Sequence, residues 1–142
     1  AAEDIGLANP NALLLANAAF DAVMKIGWPE GRIPLAEAPV SLATSPKSNS
    51  SYLAIKAAQD EVRRSGNQPV PLPIRNAPTK LMADLGYHDG YKYPHDYPEA
   101  FTPQQYLPDE LTGKRFWHAH HSPAEEKLYQ YMLKCWNDRY KE

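Results

Sequence analysis

The segment from Pro69 to Gly113 limits most strongly what this chain can fold into. It holds eight of the 14 prolines and five of the nine tyrosines of the 142-residue sequence. Because proline donates no backbone hydrogen bond, the segment cannot form a continuous helix or strand. Disordered linkers have few aromatic residues, so this segment does not resemble one. We therefore predict a long, ordered but irregular segment, called the wrap below, whose large side chains pack on a helical scaffold.

Ten residues supply the large side chains of the wrap that we expect to be buried. They are Leu72, Ile74, Leu81, Leu85, Tyr87, Tyr91, Tyr93, Tyr97, Phe101 and Tyr106. Any of these side chains that the scaffold does not cover would form an apolar surface, and large surfaces of that kind usually mark an interface.

The rest of the sequence predicts helices, so the fold class is mainly α. Helical spacing, capping residues and terminating glycines predict helices over 10–26, 29–44, 49–65 and 122–140, with a short one at 78–85 inside the wrap. In the first helix Leu13, Asn17, Phe20 and Met24 share one face. Residues 122–125 read Ser-Pro-Ala-Glu, which is a capping box with proline at the first helical position.

Pro39 lies inside the second predicted helix. Its ring opposes the carbonyl of Leu35, and it removes one backbone donor. We therefore expect this helix to be bent or broken near Pro39.

Length and composition indicate a single domain over residues 1–142, large enough to have its own core. No apolar run approaches the ~20 residues that would cross a membrane, so no membrane partner is expected. Cys135 is the only cysteine, which excludes an intrachain disulfide and favours the cytoplasm. Its place on the apolar face of the last helix predicts a buried, inert thiol.

Charge is unevenly distributed along a chain whose net charge is -2. Residues 47–80 hold six basic residues against two acids, whereas residues 81–112 hold six acids against Lys92. This asymmetry would suit the pairing of two copies as well as contact with DNA. The candidate DNA contacts on the basic segment are Arg63, Arg64, Arg75 and Lys80.

Several strings of this sequence carry a family resemblance. RNAPTKLMADLGY, GYKYPHDYP and YLPDEL follow one another, and EDIG with NPNAL, PLAEA and SPKSNSSYLAI precede them. In this order they resemble the C-terminal region of the replication-associated recombination protein A family of AAA+ ATPases, relatives of the Werner-helicase-interacting ATPase. The resemblance spans Glu3 to about Leu111.

The resemblance implies a helical oligomerisation domain, similar to the collar domains of clamp loaders, that assembles its parent into a homotetramer. Residues 1–8 would then be the tail of a preceding lid module, and the chain a fragment of a longer protein. It also implies a parent that binds ATP and magnesium in upstream modules and acts with DNA and replication-fork proteins in the repair and recombination of stalled forks. Such a parent would be cytoplasmic and associated with the nucleoid.

No phosphate-binding loop of the form GxxxxGK[ST] occurs in the sequence. Without such a loop, the chain has no set of backbone N–H groups and lysine arranged to hold phosphates. We therefore expect no cofactor in this fragment and no catalysis by it.

We predict that calorimetry will detect no more heat of ATP binding with this chain than with an unrelated control protein. Tight ATP binding would contradict the prediction.

Two histidine-containing clusters could be read as catalytic or metal sites. His118, His120 and His121 form one, and His88, Asp89, His95 and Asp96 form the other. Neither has a familiar ligand spacing or a recognisable nucleophile, so we favour a solvated loop for the first. For His95 and Asp96 we favour a hydrogen-bonded pair that anchors the wrap over a small hydrolase site.

Tyr87, Tyr91, Tyr93 and Tyr97 could stack unpaired bases, as aromatic rings do on single-strand-binding surfaces. Only Lys92 among the nearby residues could pair with phosphates, whereas four acids lie close in sequence. We therefore favour packing in the core or between subunits for these four tyrosines, together with His95 and Asp96. Direct DNA contact by the basic segment is the alternative function.

Overall fold

The computed structural model describes residues 1–140, apart from the side chain of Asp138, and this part of the chain is helical. Five α-helices form: α1 (Asn11–Ile26), α2 (Arg32–Ala43), α3 (Ser50–Ser65), α4 (Lys80–Asp84) and α5 (Pro123–Trp136). Short 3₁₀ helices precede α1, lie between α3 and α5, and follow α5, and no strand occurs within residues 1–140. The mainly α fold class is confirmed.

The chain forms two compact units. The first comprises Ala1–Asp60 and Phe116–Gln130, and the second comprises Glu61–Arg115 and Tyr131–Glu142. The wrap lies wholly within the second unit. None of the helices in residues 1–140 is both long and apolar enough to cross a membrane.

In the first unit α1 packs against α2 through small residues. Asn9 caps α1 by accepting a hydrogen bond on its Oδ1 from the Asn11 N–H at 3.3 Å. The buried residues of the two helices are Ala12, Ala19 and Ala38. Alanine allows two helix backbones to approach closely, but each buries little apolar area. The contact between α1 and α2 is therefore close without forming a large core.

The predicted apolar face of α1 is not covered by the described chain. Leu13, Phe20 and Met24 are all exposed, and so is Leu14 beside them. Periodicity predicted a helix with nearly the observed bounds, but the residues that α1 buries, Ala12 and Ala19, are not on the predicted face. It did not identify what covers that face.

α2 continues through Pro39 from Arg32 to Ala43. The expected break is therefore wrong, and the bend of the helix axis stays a prediction. Proline removes a single donor, and helical bonding resumes after it, since the Thr44 N–H donates to the Val40 carbonyl at 3.1 Å. Loss of one bond in twelve residues does not end the helix.

Residues 1–8 are part of the first unit, with Ile5 and Ala8 buried. The Ser48 N–H donates to the Asp4 carbonyl at 2.8 Å. Gly6 has a φ of +48°, and a Cβ built there would lie 2.9 Å from the Ser48 carbonyl oxygen. A larger residue at position 6 would therefore be both strained and too close to the segment that precedes α3.

The wrap consists of turns and four short helical segments: Leu72–Ile74, Pro94–Asp96, Pro98–Ala100 and Asp109–Leu111, besides α4. Thr79 caps α4 by accepting on its hydroxyl from the Met82 N–H at 3.3 Å. Glu99 and Ala100 both have positive φ, at 59° and 52°. Such values are uncommon outside glycine, and they indicate a tightly turned backbone next to Pro98.

The structure corrects the prediction that the ten large side chains of the wrap are buried. Leu72, Leu81, Leu85, Tyr93, Tyr97 and Tyr106 are exposed. The other four, Ile74, Tyr87, Tyr91 and Phe101, are half-buried. The residues that the wrap does bury are Thr102 and Gln104, which are polar. The prolines restrict the backbone of the wrap, but its aromatic side chains do not form a buried core.

The second unit contains an aromatic cluster between the wrap and the last helical turns of the chain. The Phe101 ring meets the Trp136 ring edge-on at 5.2 Å between centroids, and Trp136 meets Tyr140 in the same way at 5.5 Å. The Arg139 guanidinium lies over the Trp136 ring at 4.9 Å. Edge-to-face pairs and a cation over a ring are both favourable, so this cluster holds the last helical turns against the wrap.

Candidate subunit interface

The main candidate site is an exposed apolar surface on α1, α2 and the turn between them. Phe20 is 66% exposed, Met24 70% and Trp28 69%. Ile33 and Val40 of α2 are exposed to a similar degree. These side chains belong to the first unit, whose buried apolar residues are only alanines and Ile5. The unit thus exposes its large apolar side chains and buries its small ones.

α3 adds further apolar residues to the exposed surface of the first unit. Tyr52, Leu53 and Ile55 are each about half exposed. Ser48 caps this helix by accepting on its hydroxyl from the Ser50 N–H at 3.2 Å. The spacing that predicted α3 was correct, but here too the apolar residues are not covered within the described chain.

A buried carboxylate joins the starts of α3 and α5 within the first unit. Glu125 is fully buried, and its Oε1 accepts from the Ser50 hydroxyl at 3.0 Å. Its Oε2 accepts from the His120 backbone N–H. The Trp117 indole N–H donates to the Ser50 hydroxyl at 3.1 Å, which completes the network. Charge-assisted bonds to both oxygens compensate for burial of the carboxylate.

The capping box at the start of α5 forms only in half. The Ser122 hydroxyl accepts from the Glu125 N–H at 3.2 Å, as the sequence predicts. The reciprocal bond does not form, because the Ser122 N–H donates to the His120 carbonyl at 2.7 Å. The Glu125 carboxylate is used instead for the contact with Ser50, which lies 75 residues away in sequence.

Glu61 forms the main charge cluster of the second unit. Its largely covered carboxylate pairs with the Arg64 guanidinium at 2.5 Å and with the Lys114 ammonium. The hydrogen bond from Lys114 is the main cause of a pKa of Glu61 below its usual value of 4.5, and the charge of Arg64 adds to it. The cluster ties the last turn of α3 to the segment that follows the wrap.

The lowered pKa of Glu61 predicts a pH-dependent contribution to stability. A depressed carboxylate pKa stabilises the folded state above the unfolded value of 4.5, and this contribution is lost as the pH falls through the folded pKa. We therefore expect Glu61→Gln to lower the free energy of unfolding at about pH 7 and to lower it less as the pH falls below 4.5, for example at about pH 3. Urea unfolding at both pH values tests this, with the exposed Glu37→Gln as control. An equal loss at both would contradict it.

At the end of the chain, Lys134 and Cys135 have local partners in the second unit. The Lys134 ammonium pairs with the Glu99 carboxylate at 2.6 Å, which raises the pKa of Lys134. Cys135 is half-buried rather than buried, and its thiol faces the Tyr131 hydroxyl. That hydrogen bond is the main cause of a raised pKa of Tyr131. α5 turns its last residues partly toward solvent, so the prediction of a fully buried thiol was wrong.

The four candidate DNA contacts have different surroundings, and their role stays a prediction. Arg75 is half-buried: its Nε donates to the Val70 carbonyl at 2.5 Å, and its guanidinium lies 5.0 Å from the centre of the Tyr87 ring. Arg64 is paired with Glu61. Arg63, in the last turn of α3, and Lys80, at the start of α4, are exposed. Three of the four candidates are thus exposed, although Arg64 is paired with a carboxylate, and Arg75 is half-buried.

The tyrosines of the wrap contact the nearby histidines. The Tyr91 ring stacks on His88 at 4.7 Å, and the Tyr93 ring lies tilted at 5.1 Å from His95. His95 and Asp96 are both exposed on the 3₁₀ helix Pro94–Asp96, and within the described residues the expected hydrogen bond between them does not form. Tyr93 and Tyr97 are exposed, and their role at an interface stays a prediction.

The histidines near α5 do not converge on one point. His120 and His121 have ring centres 6.4 Å apart, and both are exposed. Over residues 1–140, no three His, Cys, Asp or Glu side chains are grouped so that they could hold a metal ion.

The described residues define a class of protein module: an all-helical domain with an irregular proline-rich segment and an uncovered apolar helical face. Comparison with protein families supplies the particular assignment. The family model described as MgsA AAA+ ATPase C terminal matches residues 1–136. The chain therefore belongs to this family, which confirms the resemblance found in the sequence.

Relatives from distant organisms support the same family assignment. Replication-associated recombination protein A of Escherichia coli K12 is 40% identical over 90% of this chain, and that of Coxiella burnetii is 45% identical over 82%. ATPase WRNIP1 of Dictyostelium discoideum is 39% identical over 95% of the chain. The matched regions are 29%, 27% and 14% of those proteins, so the chain spans less than a third of each relative.

Proposed function

We propose that this domain assembles an AAA+ ATPase into a homotetramer and is not itself catalytic. The observation that supports this is the exposed apolar surface of α1 and α2 around Phe20, Met24 and Trp28. A unit whose buried apolar side chains are four alanines and one isoleucine has little hydrophobic burial to offset chain entropy. Other copies of the same surface would supply the missing burial.

A second copy is the simplest partner for this surface. Closed symmetric homo-oligomers are the commonest soluble assemblies, and their interfaces are more apolar than those of transient complexes. The uneven charge of the chain also favours pairing between copies, since the basic segment 47–80 could approach the acidic segment 81–112 of a neighbour. The number four comes from the family resemblance.

The activity of the parent is part of the same proposal. The family is one of AAA+ ATPases, and the relatives are named for replication-associated recombination. We infer that the parent binds ATP and magnesium upstream of this domain and works on DNA in repair and recombination at stalled forks, with fork proteins as partners. It would act in the cytoplasm at the nucleoid. The domain would then set how many ATPase modules act together.

Light scattering on the purified chain tests the assembly. We expect a mass about four times the 16.0 kDa of one chain at tens of micromolar protein, a concentration of the order of the weaker known protein affinities. Moderate salt should reduce the mass only partly, because apolar burial is screened far less than charge pairing. Tyr93 is on the exposed part of the wrap, so a lower mass for Tyr93→Ala would show that the wrap contributes to the assembly.

A monomer under these conditions would contradict the assembly and favour the DNA-contact function. A gel shift with forked DNA would then distinguish the two further. Binding that weakens steeply with salt and depends on Arg63 and Lys80 would support contact with phosphates.

A further inference from the structure

An exposed turn of the wrap contains a pair of residues that the proposed function does not use. Asp89 is followed by Gly90, and it is the only aspartate or asparagine of the sequence that precedes a glycine. Glycine has no Cβ, so it leaves its own backbone nitrogen open to approach by the preceding side chain. An aspartate in this position can react with its own backbone.

The turn presents both residues to solvent. The His88 carbonyl accepts from the Tyr91 N–H at 3.3 Å, which closes a turn with Asp89 and Gly90 at its centre. Gly90 has a φ of 73°, a value that suits glycine at the third position of such a turn. Asp89 and Gly90 are both exposed, and no atom lies within 4 Å of a Cβ built on Gly90. Nothing therefore covers the two groups that would react.

A free backbone N–H distinguishes this aspartate from others on the surface. In the described part of the chain, the Gly90 N–H donates no hydrogen bond. Asp4, Asp84 and Asp96 are exposed too. The N–H groups that follow these three all donate to backbone carbonyls: Ile5 to Ala1 at 3.1 Å, Leu85 to Leu81 at 3.0 Å and Tyr97 to Pro94 at 3.1 Å. Of these four nitrogens, only that of Gly90 can react without first losing a bond.

The turn is also held weakly. Its closing bond of 3.3 Å is longer than the usual limit of about 3.2 Å for N–H···O bonds. The Asp89 N–H donates to the Gly86 carbonyl at 3.4 Å, which is longer still. Exposed segments held by few hydrogen bonds open locally at low cost. Rotation that brings the Asp89 carboxyl group onto the Gly90 nitrogen therefore needs only a local opening.

We propose that Asp89 is a site of spontaneous isoaspartate formation. The Gly90 nitrogen attacks the Cγ of the Asp89 carboxylic acid and forms a C–N bond. The carboxyl OH and the N–H proton leave together as water, and the product is a cyclic succinimide. Water then opens the ring by breaking one of its two C–N bonds. Opening at the main-chain carbonyl of Asp89 leaves Gly90 attached through Cγ, which is isoaspartate. One water is lost and one is gained, so no other reactant is needed.

The modification would change the shape of the turn. Isoaspartate lengthens the main chain by one carbon between His88 and Tyr91, and it moves the free carboxylate to the former main-chain carbon. The present spacing sets the turn bond and the stack of the His88 and Tyr91 rings at 4.7 Å. Both contacts would be lost in the modified chain. The wrap would therefore change locally as the protein ages.

Peptide mapping of the aged chain tests the proposal. The purified wild-type chain is kept in buffer at physiological temperature for several weeks and digested, and electron-transfer fragmentation distinguishes isoaspartate from aspartate. Asp96, exposed in the same wrap, is the internal control. We expect isoaspartate to form at Asp89 at least about fivefold faster than at Asp96, because the Tyr97 N–H must first lose its hydrogen bond.

Two variants assign the reaction to this pair. In Asp89→Glu a larger ring would have to close, so the product at this position should disappear. In Asp89→Asn the same ring forms with loss of ammonia. We expect this variant to deamidate several times faster at position 89 than at Asn67, which is also exposed but precedes Gln68 rather than glycine. Circular dichroism shows that the aged chains keep their helices.

Three results would overturn the proposal. The first is a rate at Asp89 no higher than at Asp96, and the second is deamidation of Asp89→Asn no faster than that of Asn67. The third is a rate at Asp89 more than about tenfold lower in the folded chain than in urea, because loss of one backbone hydrogen bond accounts for no larger difference. Such protection would show that the folded turn prevents the reaction.

Discussion

Replacing Phe20 and Met24 together by glutamate is expected to reduce the assembly to single chains. The two residues lie one helical turn apart on α1 and are among the most exposed apolar side chains. A carboxylate at either position would have to lose its hydration in an apolar interface without a partner, which is strongly unfavourable. Interface residues of this size often contribute about 2 kcal/mol or more each, so association should weaken by at least about a hundredfold.

Light scattering over a dilution series measures this effect. Lys25→Glu is the matched control, because it changes the net charge by the same amount on an exposed position of α1 that pairs with Asp21 at 3.6 Å. Circular dichroism should show that the helices persist in both variants. If the Phe20 and Met24 variant keeps the mass of the wild type while the helices are intact, the apolar face of α1 is not the interface.

Replacing Glu125 by alanine is expected to lower the free energy of unfolding by about 2–4 kcal/mol. The change removes the acceptor of the buried Ser50 hydroxyl, and an unsatisfied buried donor costs about 1–3 kcal/mol. It also removes the acceptor of the part-buried His120 N–H and the tie between the starts of α3 and α5. The neighbouring Glu126 is exposed and accepts from Gln130 at 2.7 Å, so Glu126→Ala should change stability by about 0.5 kcal/mol or less.

Urea unfolding at one fixed protein concentration tests the second prediction, since association also stabilises the folded state. Glu125→Gln separates charge from hydrogen bonding, because the amide retains one acceptor oxygen. We expect it to be less destabilising than alanine. A loss below about 0.5 kcal/mol for Glu125→Ala would mean that the buried network contributes nothing measurable.

Most helix ends could be predicted from the sequence, because local chemistry sets them. Asn9 caps α1, Ser122 caps α5, and Gly66, with a φ of +69°, follows the last residue of α3. Each of these signals acts within four or five residues. Pro39 is the exception, since its single missing bond is outweighed by the bonds on either side of it.

The sites could be predicted less well than the helices. The apolar faces of α1 and α3 were recognised, but a period of 3.6 residues shows only that a face is apolar. It does not distinguish a face covered by the same chain from one covered by another copy. For the wrap, the prolines predicted an irregular backbone, yet the rings expected inside it are largely exposed, and Gln104 is buried instead.

The sequence by itself determined the helices, their caps, the irregular wrap and membership of the MgsA C-terminal family, because each depends on neighbours in sequence or on an ordered set of strings. Only the tertiary structure decided that Glu125 reaches Ser50, that Glu61 reaches Lys114 and that Gln104 keeps an unused donor. The first two contacts join residues 75 and 53 positions apart, and the third depends on which wall the wrap folds against. Local propensity carries no information about such distances.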